Sequence, residues 1–125
     1  MTRMRTAVLA LFLMLSIANA QEHTSSFSYV NDYEQAVETK DKKILVVFGA
    51  DWCKYCHELK RDLNLMHLDN YIVCVVDVDV RPDLKKKYSC NMLPCSVILL
   101  NKKEISRKSG YKKQDYGGWL EKYGK

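Results

Sequence analysis

No stretch of this sequence stays apolar for the roughly 20 residues that a helix needs to cross a bilayer. The longest apolar run, TAVLALFLMLSIA near the start, holds about 12 such residues. Proline is scarce, with two in 125 residues, and no proline-rich linker, repeat or low-complexity tract divides the chain. One domain is therefore expected. The formal net charge is +5, but the lysines are scattered. Their short run, Lys85-Lys86-Lys87, lacks an aromatic-interleaved basic stripe, so it reads as a solvated helix face and no nucleic-acid partner is expected.

What the start does contain is ordered in a recognisable way. Basic MTRMR precedes the apolar run, and Ala18-Asn19-Ala20 closes it as an A-x-A site. This is the pattern of a secretory signal peptide over residues 1–20, with cleavage expected before Gln21. No cysteine stands at that site, which argues against a lipoprotein anchor. Loss of Arg3 and Arg5 would lower the net charge from +5 to +3. Residues 21–26 (QEHTSS) are polar and expected to be frayed, leaving residues 27–125 for the folded domain. The chain ends without a KDEL-type signal, so a periplasmic or extracellular destination is favoured over the endoplasmic reticulum.

All five cysteines follow the expected cleavage site. Exported cysteines tend to pair, and an odd number leaves one thiol free or paired between molecules.

The apolar pattern predicts alternating helices and strands. Phe27, Val30, Tyr33 and Val37 recur at helical spacing, ahead of the charged KDKK. Ile44–Ala50 (ILVVFGA) is continuous, short and β-branched, as a strand buried on both faces requires. CKYCHELKRDLNLM follows as a helix with Leu59, Leu63 and Met66 on one face. Tyr71–Val80 reads as a second buried strand, broken by Arg81-Pro82, and DLKKKY fits one or two helical turns. CSVILL after Pro94 is a third strand. Asn101-Lys102-Lys103 is a turn that lets EISRKSG return antiparallel. DYGGWLEKYGK closes the chain as a helix, with Gly117-Gly118 weakening its start by about 1 kcal/mol per glycine. This order implies an α/β fold: a mixed central sheet, helices on both faces, and a C-terminal hairpin plus helix.

The chemistry concentrates at Cys53-Lys54-Tyr55-Cys56-His57. C-x-x-C-H is compatible with c-type haem attachment, with His57 as one axial ligand and Met66 or Met92 as the other. Small haem-c domains are mostly helical, however, and the flanking strands do not suit one. A closed zinc site would need Cys90 or Cys95 to join. A redox dithiol needs least: Cys53 falls where a strand gives way to a helix. Unpaired backbone N–H groups and the helix dipole favour a thiolate there. Cys56, one turn on, is placed to resolve a mixed disulfide on Cys53. No cofactor is needed.

Around this motif the sequence resembles the thioredoxin fold, close to secreted thioredoxin-like thiol–disulfide oxidoreductases. The likeness rests on ILVVFGADWCKYC, with Trp52 directly before the first cysteine, on RPDLKKKYSCNMLP, on the hairpin segment SVILLNKKE, and on Gly110. The resemblance implies that Pro94 is cis. It also implies that Trp52, Leu93, Pro94 and Gly110 hold an extended substrate segment beside Cys53. Protein thiols and disulfides are then the substrates, a membrane electron donor is a candidate partner, and the protein is expected to be monomeric. Reduction is favoured over oxidation, because the motif segment looks more thioredoxin-like than like dedicated oxidases.

The sequence departs from the family in three ways. A buried Asp before the active site and a Lys in the neighbouring strand are replaced, without gaps, by Val47 and Val75. Asp51, His57 or Glu58 are left as candidates to take the proton of Cys56. Lys54-Tyr55 replaces the common Gly-Pro within the motif. Finally, Cys95 stands where Thr is usual. Cys74 reads as a small buried hydrophobe, and packing is also the first reading of Cys90 and Cys95. A third redox thiol at Cys95, or a Cys90–Cys95 pair, is the alternative. A competing class is a non-enzymatic binding module or chaperone in which Cys53–Cys56 is structural.

Overall fold

The computed structural model describes residues 32–125. The expected signal peptide (1–20), the polar stretch 21–26, and Phe27 and Val30 of the first helix lie outside the described residues. Eight elements follow: α1 (Tyr33–Val37), β1 (Lys43–Gly49), α2 (Lys54–Leu63), β2 (Tyr71–Asp77), α3 (Pro82–Lys87), β3 (Cys95–Leu100), β4 (Lys103–Ser109) and α4 (Lys113–Gly124).

The four strands form one sheet in the order β2-β1-β3-β4. β1 runs parallel to β2, with Gly49 opposite Asp77, and antiparallel to β3, with Phe48 opposite Cys95. β3 and β4 form the antiparallel hairpin, with a register irregularity at Ile98/Leu99. The central position of β1 explains its composition. Every residue from Ile44 to Gly49 is buried, because strands flank β1 and helices cover both faces.

Alternation along β1 divides the core in two. Ile44, Val46 and Phe48 join Tyr33 and Ala36 of α1 and Leu84 of α3. Leu45 and Val47 join Leu59 and Leu63 of α2 and Tyr116 and Leu120 of α4. Thus α1 and α3 cover one face and α2 and α4 the other. Each large apolar side chain so buried contributes about 1.5–3 kcal/mol. The second layer also holds Ser96, a buried polar residue whose Oγ lies 2.6 Å from the Tyr116 hydroxyl. Tyr71 is tied to the same layer: its hydroxyl donates to the Leu120 carbonyl at 2.6 Å.

β1, β4 and α4 start one or two residues earlier than expected, and three further boundaries differ for identifiable reasons. β2 stops at Asp77 rather than Val80. The N–H groups of Val80 and Arg81 turn back to the Asp77 carbonyl, and Asp77 Oδ1 accepts from Asp79 N at 2.8 Å. α2 stops at Leu63, because Leu65 and Met66 bond three residues back and Leu68 fills the core instead. α1, within the described residues, is a single short helix capped by Asp32, whose carboxylate accepts from Gln35 N at 3.1 Å.

Candidate functional site

The turn after β1 delivers Cys53 to the N-cap of α2 with an extended backbone, φ −92° and ψ 109°. Cys53 Sγ takes the role usually filled by a Ser or Asp oxygen, accepting from Cys56 N at 3.3 Å. The Cys53 carbonyl accepts from His57 N at 3.3 Å. Any charge on Cys53 would therefore sit at the unpaired end of a ten-residue helix, where the dipole favours an anion. Cys53 and Cys56 form a disulfide with their Cα atoms 5.2 Å apart. Both are buried, at 7% and 3% exposure.

The Leu93–Pro94 peptide bond is cis. The segment carrying it is closed by a second disulfide, Cys90–Cys95, with Cα atoms 5.7 Å apart. This pairing replaces the packing role first read for the two cysteines. All four sulfurs belong to one buried cluster, against which Leu93 packs. The dithiol and the cis-proline segment thus pack into the same core layer. Gly110 closes the same corner: its N–H donates to the Pro94 carbonyl at 2.8 Å. Its φ of +75° is a left-handed conformation that glycine adopts without strain.

Trp52 stands on the rim, 72% exposed, with its Nε1–H donating to Asp79 Oδ2 at 3.0 Å. Tyr55 and Met92 are also largely exposed, at 56% and 60%. Three residues here escaped the sequence reading. Tyr55 was read only through its place in the motif, Met92 only as a haem ligand, and Asp79 only as part of a strand. The available signal was position: an aromatic inside C-x-x-C, and a large apolar residue just before the cis-proline.

The candidate proton carriers have different surroundings. His57 is exposed, with Nε2 2.6 Å from the Asp51 carbonyl. Glu58 lies near Tyr111, whose phenol is pushed up by burial first, then by Asp62 and Glu58. Asp51 lines an open cleft of about 430 Å3 with Gly49, Lys60, Asn64, Val75, Val76 and Asp77. Val47 and Val75 face each other across β1 and β2, with no acid or lysine between them.

Cys74 is the one free thiol among the described residues, fully buried in the α1/α3 layer. Burial, aided by Asp32 and Glu34, pushes its pKa up to about 11, which keeps it an unreactive thiol. The haem alternative does not fit. Cys53 and Cys56 are bonded to each other, and Met66 packs into the α2/α4 layer. Among the described residues no cluster of His, Cys, Asp and Glu is placed to hold a metal ion, and no helix is long and apolar enough to cross a membrane.

A strand-to-helix dithiol that shares a buried cluster with a cis-proline segment defines a class of disulfide-exchanging domains, and comparison with known proteins agrees. The family model described as Thioredoxin matches residues 25–120, and the chain belongs to the thioredoxin family. It is 32% identical to Thioredoxin-1 of Caenorhabditis elegans over 101 residues, covering 78% of this chain and 85% of that one. Over 74 residues it is 30% identical to the thiol:disulfide interchange protein DsbD of Campylobacter jejuni, covering 53% of this chain and 13% of that protein. The X-ray structure of Fasciola hepatica thioredoxin superposes with a TM-score of 0.68 at 25% identity, covering 78% and 96% of the two chains. With its Cys53–Cys56 pair, the protein is a thiol–disulfide oxidoreductase acting on protein thiols and disulfides.

Proposed function

We propose that the protein is an exported reductant of protein disulfides, with Cys53 as nucleophile and Cys56 as resolving thiol. The observation that carries this reading is Cys53 at the α2 N-cap, in one buried cluster with the cis-proline segment. In the reduced protein, the Cys53 thiolate attacks a substrate disulfide and displaces the first substrate thiol. Cys56 then attacks Cys53 Sγ, releases the second thiol and closes the disulfide seen here. Two electrons pass to the substrate, and no cofactor takes part.

The exposed faces of Trp52, Tyr55 and Met92 offer apolar contact around the buried sulfurs. The Leu93 backbone is left for an extended substrate segment to pair with, while the Gly110 N–H holds the Pro94 carbonyl at 2.8 Å. Export rests on the n-region, apolar run and A-x-A site of residues 1–20. A reductant outside the cytosol has no reduced thiol pool to draw on, so its electrons come from a membrane donor. The protein acts as a monomer, which leaves the Trp52 rim free for substrates.

The test is the reduction potential of Cys53–Cys56 against glutathione, combined with insulin reduction by dithiothreitol. A potential near about −270 mV with rapid insulin reduction is expected; one near about −120 mV would make the protein an oxidant. Full activity in Cys53→Ser would overturn the mechanism.

A further inference from the structure

Resolution by Cys56 needs a base. Its thiol is buried at 3% exposure, and a buried thiol resists ionisation. The acid that the family keeps in the preceding strand is Val47 here, itself buried at 1%. Another carboxylate, however, reaches the same side of the sheet from the next strand.

A Cβ placed on Gly49 would lie 3.2 Å from both Cβ and Sγ of Cys56, so Gly49 is the bare floor beneath that sulfur. Gly49 is paired in register with Asp77, and paired residues of adjacent strands project to the same face. The strands lie about 4.8 Å apart. Asp77 therefore rises beside the space that a Gly49 side chain would fill, and Cys56 Sγ borders that space. The open cleft of about 430 Å3 includes Gly49, Val75 and Asp77 in its wall and connects the spot to solvent. Asp77 Oδ1 accepts from Asp79 N at 2.8 Å, which holds one oxygen of the carboxylate in place.

We propose that Asp77 takes the proton of Cys56, directly or through one water in the cleft. This assignment rests on the dithiol mechanism above. The Cys56 S–H bond breaks as the Asp77 carboxylate accepts the proton. The new thiolate forms the bond to Cys53 Sγ, and the Cys53–substrate S–S bond breaks. The departing thiolate recovers a proton from Asp77 or from cleft water. Lys60 of α2 and Asp51 of the preceding loop line that cleft with Asp77, Asp79 bonds it from its own turn, and Asp32, Glu34 and Arg81 line a second cleft with it; Asn64 of α2 is a neutral polar neighbour. Lys60 is the cationic residue in the wall of the first cleft and Arg81 that of the second. Glycine at 49 matters because any larger residue would fill the route.

The experiment mixes the reduced full-length protein with oxidised glutathione, quenches with acid, and follows the Cys53–glutathione adduct by mass spectrometry across pH. In Asp77→Asn, adduct formation is expected to match wild type, while its resolution at pH 6–7 slows by at least about tenfold. The difference should narrow as pH rises, because hydroxide then competes with Asp77 for the Cys56 proton. Asp77→Glu should recover much of the rate. Unchanged resolution in Asp77→Asn would overturn the assignment. So would equal slowing of both steps at every pH, or the same pH-dependent loss in Asp51→Asn but not in Asp77→Asn. Failure of wild type to form any Cys53 adduct would instead overturn the dithiol reading itself.

Discussion

Cys90 and Cys95 are bonded to each other across the segment that holds cis-Pro94. The link clamps a loop whose cysteines share a buried cluster with the Cys53–Cys56 pair, and both residues are 1% exposed. A clamp of this kind acts on the unfolded chain and on the geometry of the loop together. In a Cys90→Ser/Cys95→Ser variant, stability is expected to fall by about 2 kcal/mol, from the loop-closure entropy of so short a segment. Insulin reduction should show a raised KM with kcat less affected. Urea unfolding and steady-state kinetics check both. Unchanged KM would mean that the disulfide does not position Leu93 and Pro94.

The pairing also fixes a thiol count. Unfolded in denaturant without reductant, the oxidised chain should expose one reactive thiol, Cys74. In the native state that thiol should resist iodoacetamide near neutral pH, because it is fully buried and its pKa is raised to about 11. Quantitative labelling with and without denaturant measures both states. Fast labelling of the native protein would contradict the burial.

Trp52 touches the protein chiefly through one hydrogen bond to Asp79 and is otherwise open to solvent. Trp52→Ala is expected to change stability by no more than about 0.5 kcal/mol, as for other surface positions. Its KM for a protein disulfide should rise several-fold. Parallel melting curves and insulin kinetics separate the two effects. A large stability loss would identify Trp52 as part of the fold rather than of the substrate surface.

Tyr116 and Ser96 form a buried polar pair between α4 and β3. Tyr116→Phe leaves the Ser96 hydroxyl without that partner in an apolar layer, at a cost of about 1–3 kcal/mol. The Tyr116→Phe/Ser96→Ala double variant should recover part of the loss. Chemical denaturation of both single variants and the double variant tests this, and additive losses would contradict a mutual bond.

The pH dependence has a definite sign. Burial raises Tyr71 to about 12, and burial with Asp32 and Glu34 raises Cys74 to about 11. Both are neutral acids in the fold and ionise at lower pH when unfolded. Their contribution to stability is full below about pH 9 and is lost as pH rises towards 11–12. Melting temperatures measured from neutral to alkaline pH should decline over that window. A flat profile would contradict the raised values.

The architecture was legible because β1 is buried on both faces and announces itself as ILVVFG, and because Pro82 and Pro94 punctuate the chain at element starts. Boundaries were less legible where the backbone turns on single hydrogen bonds. Nothing in the alternation of VDVDV says that Asp77 ends the strand by bonding Asp79. Cys53 and Cys56 were readable from local order alone. The Cys90–Cys95 bond was one of three readings, beside packing and a third redox thiol at Cys95, since short spacing does not fix the loop conformation that joins them. Asp77 was invisible as a site residue because its relation to Cys56 runs through strand register and a glycine, neither of which is local in sequence. Asp51, His57 and Glu58 were nearer in sequence to Cys56, but His57 faces out and Glu58 lies towards Tyr111.

The most direct test is to trap the exchange midway. Cys56→Ser, reduced and mixed with a disulfide-bonded protein such as insulin, should accumulate a dithiothreitol-sensitive adduct that peptide mapping places on Cys53. Cys53→Ser should accumulate none. An adduct on Cys74, Cys90 or Cys95, or none in Cys56→Ser, would contradict the assignment of Cys53 as the attacking thiol.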